Sequence, residues 1–435
     1  MLINTRERLD TLTRAQDEIR SLFRFQPPSE FYQAKLAEAW QRAAKAAAYG
    51  CLPEFSEEAF SSQPVTTKEA LKNDPWSFVV TDLGASAKYY ETTGTSGQVT
   101  PTPRLFEDIA WNAVSVEQAW RRVLSERDRV AILLPSDIVP VADLVVGVCE
   151  LLDVPHSRVY PFATGISDWD RLTTLWRSLR PTVVFVAPGL ALQLTRLLKQ
   201  RGHFGELSES VHTLMLLGEV STPALRARLG EWWQATAYDA SYGSTETGTL
   251  AATCEEGGLH LLTSTNYFEI ASGDEVKPLS GDCAGRLVVT PLNLHARPLL
   301  RFDTGDEVVV GGDCACDSAA PLLSVRGRST DVIQVHQRDL TVRAVEDVVY
   351  HASSATGYLI ELDESGARAR LLLERDVHAD RSAEAGMKLA VDEAMRSSTG
   401  LVWDEIVFVN SLPQTTKSGG SQKSWKRSNI RIVAS

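Results

Sequence analysis

The sequence predicts an α/β protein: a large N-terminal α/β domain with parallel sheets and a β-rich subdomain, followed by a small α+β C-terminal domain. Three observations predict it. Short apolar runs alternate with amphipathic stretches as far as about residue 240, the pattern past residue 250 turns β-rich, and near Arg328 it changes again.

In chain order, residues 1–75 read as helical and polar, with AKLAEAWQRAAKAAAYG a strong helix former that stops at Gly50. RVAILLP (129–135), TVVFVAP (182–188) and TLMLLGE (213–219) read as buried strands. Between and after them VADLVVGVCELL, DWDRLTTLWRSL and ALQLTRLLKQRG carry helical spacing, the signature of a parallel sheet covered on both faces. RLVVTPL and DEVVVGG supply the β-rich part. Beyond Arg328, LTVRAVEDVVYHA reads as a helix, and YLIELDESGARARLLLER as a hairpin turning at Ser365-Gly366. A second helix from Ala383 to Ser397 and the strand EIVFVNSLP complete the pattern. The joint falls at 327–331, which divides the chain into domains 1–327 and 328–435.

The 44 Lys and Arg against 56 Asp and Glu leave a net charge of −12, which argues against broad nucleic-acid binding. No run of 18 apolar residues is present, so no membrane partner is expected. The N-terminus is charged from residue 6 and lacks the apolar core of a secretory signal, so a cytoplasmic protein is expected. Six Cys in such a chain point to metal binding or reactivity rather than disulfides. The charge is uneven: from Ser411 onward there are basic residues and no acidic ones.

Five segments carry candidate chemistry. In Glu91–Thr100 (ETTGTSGQVT), hydroxyl residues surround two glycines, a backbone suited to close approach of an anion. In Asp239–Gly248 (DASYGSTETG), a Tyr able to stack on a base precedes a hydroxyl and a carboxylate, as a nucleotide–Mg²⁺ site requires. In Arg301–Asp306 (RFDTGD), a carboxylate on a Gly turn can accept both hydroxyls of a ribose. Gly327–Asp331 (GRSTD) and the Lys-bearing tail LPQTTKSGGSQKSWKR complete the set. Singly, each reads equally well as a solvated loop or an ordinary turn. Their order and spacing do not.

That ordered set resembles the adenylate-forming superfamily (acyl-CoA synthetases, peptide-synthetase adenylation domains, luciferases), and within it the phenylacetate–CoA ligase-like branch. TTGTSGQVT matches the phosphate loop, LLGEVSTPALRARL the strand–helix segment with Gly218 and Glu219 near adenine, YGSTE the Y-G-x-[ST]-E motif, RFDTGD the ribose motif and GRSTDVI the hinge. The resemblance implies ATP and Mg²⁺ as cofactors, a small aromatic carboxylic acid as substrate, and an acyl-adenylate as product. It implies that Thr92, Thr93, Gly94, Thr95, Ser96 and Gly97 wrap the phosphates. Tyr242, between Ser241 and Gly243, would stack on adenine. Thr245 would touch the α-phosphate, Glu246 hold Mg²⁺, and Asp306 bind the ribose with help from Arg328. The C-terminal domain becomes a mobile lid carrying a catalytic Lys: Lys423, with Lys417 as the alternative.

Three positions depart from the family pattern. Gln98 stands where the family has a Lys; a point charge at about 4 Å is worth roughly 4 kcal/mol at an effective dielectric of about 20. Thr330 replaces the first hinge Asp while Asp331 keeps the second, and Gln337 replaces a Gly in the loop that approaches the pantetheine arm. The acceptor is accordingly left open among CoA, a carrier-protein thiol and an amine. The same departures suit a different class, a catalytically silent nucleotide-binding relative that acts through partners. A homodimer is a further expectation. Cys254, His260, Cys314 and Cys316 offer the ligand set of a structural zinc site, with Cys283 as the alternative ligand.

Overall fold

The computed structural model describes residues 3–93, 99–135, 137–161, 168–219, 221–328, 332–413 and 429–433, with the side chain of Thr93 excepted. The chain forms two compact units. One contains Met1–Asp128, Pro135–Arg158 and Ala240–Arg326; the other contains Arg129–Leu134, Val159–Asp239 and Gly327–Ser435.

In the second unit, the strands Val130–Leu133, Val183–Val186, Thr213–Leu216 and Thr236–Asp239 run parallel in that order. Val183, Val184 and Phe185 are wholly buried, which is why this strand reads as an unbroken apolar run. The helices Trp169–Leu179, Pro188–Gln200 and Pro223–Trp233 alternate with these strands as predicted. Side chains of Asp168 and Thr222 cap two of them by accepting from the backbone N–H of Arg171 and Leu225. Trp176 and Trp233 are buried between helices, and each indole N–H is satisfied, by Leu207 O and Thr195 Oγ1 at 2.8 Å.

The chain beyond Gly327 packs within this same unit. Gly357–Leu362 and Ala369–Glu374 form the predicted hairpin, with Gly366 at φ +68° in its turn. Glu405–Val409 and Ile430–Ile432 add parallel strands at its two edges. The helix predicted from LTVRAVEDVVYHA starts later, at Val342, because Arg338–Thr341 pairs with Val332–Val335 instead. Val345, Val349, Tyr350 and Met395 join Leu194, Leu229 and Trp233 in one apolar core. Polar links surround it. Arg196 donates to Arg375 O at 2.7 Å and lies 3.6 Å from Glu374, and Arg228 donates to Tyr350 O and Ser353 O at the end of helix Val342–Ala352.

In the first unit the predicted helical N-terminus is present as Arg6–Leu22, Ser29–Ala43 and shorter pieces. The second of these helices stops at Ala43, and a 3₁₀ turn, Ala47–Tyr49, fills the gap before Gly50. The hairpin Lys88–Thr93/Val99–Arg104 leads into helix Phe106–Trp120. Two antiparallel sheets follow. One holds Ser241–Ser244, Gly248–Thr253 and Leu259–Leu261; the other holds Glu275–Pro278, Asn266–Ser272, Cys283–Pro291 and Phe302–Val310. Leu71, Phe78, Leu250, Leu287, Val289 and Phe302 form their core.

The two-residue turn between Val335 and Arg338 places His336 at φ +49° and Gln337 at φ +61°. This left-handed pair is a hairpin turn that Asn-Gly fills without strain. Replacing Gln337 by Gly relieves the steric conflict at the cost of extra freedom in the unfolded chain, so Gln337→Gly should stabilise by about 0.5–1 kcal/mol. A urea midpoint equal to or below that of the parent chain would contradict the strain.

Candidate active site

Strand Ser241–Ser244 returns to Gly248–Thr253 through a tight corner, Thr245–Thr247, with a register shift between Tyr242 and Gly243. A side chain at Gly243 has no room: its Cβ would lie 2.2 Å from Gly248 O and 2.9 Å from Thr249 Cα. Gly243 is therefore fixed by backbone approach, and it lets the corner close with Thr245 and Glu246 at its tip. Asn112 of helix Phe106–Trp120 holds the far side by accepting from Thr249 N at 2.8 Å.

RFDTGD is not a loop turn but a bulge inside strand Phe302–Val310, where pairing jumps from Val288↔Asp303 to Arg286↔Glu307. Asp303 Oδ1 accepts from Gly305 N at 2.8 Å, and Thr304 Oγ1 donates to Leu287 O at 2.8 Å. The bulge re-aims Asp306, as such insertions do. The hydroxyl of Tyr242 donates to Asp306 Oδ2 at 2.7 Å. An aromatic ring and a carboxylate from separate motifs thus meet in one place, and the bond anchors the hydroxyl end of the ring. Arg301 of the same motif is structural. It is buried, pairs with Glu269 at 2.9 Å and donates to Ser61 O and Gln63 O.

The structure brings Ser241, Tyr242, Gly243, Thr245, Glu246 and Asp306 into the first unit. Thr92 is there too, paired with Thr100 at the end of its hairpin. Gly94, Thr95, Ser96, Gly97 and Gln98, the hinge positions Thr330 and Asp331, and both tail lysines, Lys417 and Lys423, lie outside the described residues. Gly218, Glu219 and Arg328 belong to the second unit, where Glu219 Oε2 accepts from Gly189 N at 3.2 Å. Three site-adjacent residues escape a reading of motifs alone: Arg104, Asp108 and Arg297. Arg104 Nη2 donates to Thr245 O at 2.7 Å and Glu246 O at 3.0 Å, directly behind the corner. The signal available was an Arg inside the apolar stretch LNLHARPLL, where a charge is expensive unless it is used.

Cys254, His260, Cys314 and Cys316 place their ligand atoms within 4.8 Å of one another. Cys254 Sγ lies 3.6 Å from Cys314 Sγ, and Cys316 Sγ lies 3.2 Å from His260 Nε2. His260 Nδ1 bonds Ala320 O at 2.6 Å, which leaves Nε2 facing the thiols. Cys283, the alternative ligand, is not in the group.

No family model matches the chain. A phenylacetate–coenzyme A ligase of Thermus thermophilus is 26% identical over 252 residues, 55% of this chain; the chain spans about half of that relative, 54%. A crystal structure of 2-hydroxyisobutyryl-CoA ligase in the postadenylation state with 2-HIB-AMP superposes with a TM-score of 0.74 at 18% identity. That match covers 97% of this chain and 89% of that one. The fold is that of the adenylate-forming ligases. The anthranilate CoA ligase AuaEII with anthranoyl-AMP also matches, at TM-score 0.51 and 15% identity over 76% of this chain and 65% of that one. Among the described residues, no helix is long and apolar enough to cross a membrane.

The second unit of this adenylate-forming fold contains two carboxyls shifted upward. Glu346 accepts from Thr222 N at 3.1 Å; burial, and secondarily the charge of Glu219, raise it to about 7. Burial raises Asp239 to about 6 against the pull of Arg226 and Arg343. Between the ordinary carboxyl range and about 7 the folded chain keeps a proton at Glu346 that the unfolded chain has lost. Stability from this group is therefore complete at low pH and declines as pH rises. Glu346→Gln should remove that part of the slope, a difference on the order of 2 kcal/mol between pH 5 and 8. Parallel pH–stability curves for the two proteins would refute the assignment.

Proposed function

We propose that the chain activates a small aromatic carboxylic acid with ATP, forming an acyl-adenylate and pyrophosphate, and then passes the acyl group to a thiol. The observation that carries this reading is the Tyr242–Asp306 hydrogen bond, which joins the base-stacking ring to the ribose acceptor. With adenosine held there, the Thr245–Glu246 corner, three and four residues beyond Tyr242, is the nearby polar tip that serves the α-phosphate. A carboxylate oxygen of the acid attacks the α-phosphorus, and the bond from phosphorus to the pyrophosphate oxygen breaks. Such a displacement needs orientation and charge neutralisation more than covalent help. The phosphate loop Thr92–Gly97 serves the β- and γ-phosphates, Thr245 the α-phosphate, and Lys423 the carboxylate being activated, with Arg328 and the Gly218–Glu219 pair assisting at the nucleoside. The phenylacetate and anthranilate ligases among the relatives support an aromatic acid and CoA as acceptor. Gln337, at φ +61° where the family has Gly, keeps a carrier-protein thiol or an amine in view.

Glu246 fits a cation ligand, since its carboxylate is half-buried and makes no ion pair among the described residues. Bound Mg²⁺ would screen phosphate charge during the displacement. The Cys–His cluster fits zinc by its donor set: three thiols and an imidazole lie within 4.8 Å of one another, where tetrahedral ligands stand roughly 3.5–3.8 Å apart. Its role is structural, because all four positions are protein ligands. Six free thiols suit the cytoplasm.

Pyrophosphate exchange across benzoates, hydroxybenzoates, phenylacetates and anthranilates tests the activity; exchange should appear with at least one of them. Asp306→Asn and Lys423→Ala should each lower it about a hundredfold, whereas Lys417→Ala should not. Retained ATP binding with no exchange for any acid would favour the silent relative instead. Metal analysis should find one zinc per chain, and its removal should lower the thermal midpoint; folded protein without metal would dispose of the zinc site.

A further inference from the structure

Behind the Thr245–Glu246 corner, the first unit buries two guanidinium groups in one polar pocket. Arg297 is fully buried and Arg104 6% exposed. Arg297 Nη1 donates to Pro101 O at 2.5 Å and its Nη2 reaches Glu246 O at 3.5 Å, while Arg104 Nη2 holds Thr245 O and Glu246 O. The one fully buried carboxylate beside them, Asp108, is already engaged. It accepts from the N–H groups of Leu105 at 2.7 Å, Ala296 at 3.3 Å and His295. Arg104 Nη1 and Arg297 Nε are buried with no hydrogen-bond partner. Burial and the charge of Arg104 both press on Arg297, yet a guanidinium stays charged.

As a stabilising device this arrangement is poor: two guanidinium groups are buried together, the charges of Asp108 and Glu246 offset that burial only in part, and two N–H groups are unmatched. Apolar side chains of similar volume would stabilise the fold at least as well. What the pair does supply is directional. Four donor contacts converge on the carbonyls of two consecutive residues and of Pro101, in the strand that leaves the phosphate loop. Both positive charges stand close behind the corner's polar tip. We infer that Arg297 and Arg104 are positioning residues for an anionic phosphate at the Thr245–Glu246 corner. They orient that backbone and lend it a positive field. The inference rests on the adenylation reading and goes beyond it by assigning residues that no motif contains.

The test compares the full-length parent chain with Arg297→Met and Arg297→Lys. Calorimetry gives the affinities for adenosine and AMP, thermal unfolding the nucleotide-free stability, and pyrophosphate exchange kcat and KM for the acid. In Arg297→Met the nucleotide-free midpoint should fall by only a few degrees and adenosine affinity should stay within twofold. AMP affinity and kcat should each fall about tenfold, with KM for the acid little changed, and Arg297→Lys should restore a large part of both losses. Equal losses for adenosine and AMP, or activity falling in step with stability, would make the pair merely structural and overturn the inference. If Arg297→Met does not fold, the AMP-to-adenosine affinity ratio of Arg297→Gln, which removes the charge but keeps a polar N–H, decides, and an unchanged ratio together with unchanged kcat is the negative result. A parent chain that binds AMP normally but exchanges with no acid would count against adenylation while the affinity ratio still tests the phosphate field. Binding of neither nucleotide by the parent chain would end both ideas.

Discussion

The arrangement of the first unit depends on a buried cross-link between segments far apart in sequence. Asp108, at the start of helix Phe106–Trp120, binds the backbone N–H groups of 295 and 296. Arg297, the next residue along, reaches back to Pro101 and across to Glu246. Three stretches are thereby held in register: the strand leaving the phosphate loop, the YGSTE corner and the approach to RFDTGD. The approach to RFDTGD also buries Leu292, Leu294, Leu299 and Leu300, but apolar burial is non-directional and does not by itself aim a carbonyl or fix a corner to within an ångström. Hydrogen bonds to charged donors in a low-dielectric interior are stiff enough to set it.

Much of the fold was legible because its signals are periodic and local. Parallel strands buried on both faces read as apolar runs, and Val183–Val186 is one. The hairpin at Ser365-Gly366 was legible from its turn residues. The start of helix Val342–Ala352 lies two residues later than read, because Leu340 and Thr341 pair with Ile333 and Val332 and Thr341 caps the helix. The partner strand that sets this boundary is not visible in the local sequence. RFDTGD shows the same limit. Asp and Gly in that order suggest a turn, but the segment lies between partners on a sheet, where the extra residues have no outlet except a bulge.

The candidate site divides in the same way. Tyr242 and Asp306 were readable from motif chemistry, and the Cys–His cluster from ligand type, because metal and base recognition restrict residue identity tightly. Arg104 was not readable, because an Arg in sequence is presumed exposed; Arg297 had only the faint signal of its apolar surroundings, and three-dimensional burial shows the rest. Gly243 had a visible place in its motif, but its necessity comes from the carbonyl of Gly248 2.2 Å from where a Cβ would sit. A motif names the residue; the neighbouring strand supplies the reason.

Strand Gly248–Thr253 links the two specialised sites of the first unit. Its first residue closes the YGSTE corner, and Cys254 follows its last. Six extended residues span about 20 Å, so the Cys–His cluster is well separated from the Tyr242–Asp306 pair. The two are joined through this one strand. The register with Ser241–Ser244 already carries a shift at Tyr242/Gly243, and a strand tethered at its far end cannot slide to absorb that shift elsewhere. The Arg104–Asp108–Arg297 network holds the corner at one end of the strand through the carbonyls of Thr245 and Glu246, and the other end leads into Cys254 of the Cys–His group. Tyr242 and Glu246 can be held in place by such a pair of constraints even though both are themselves half-exposed.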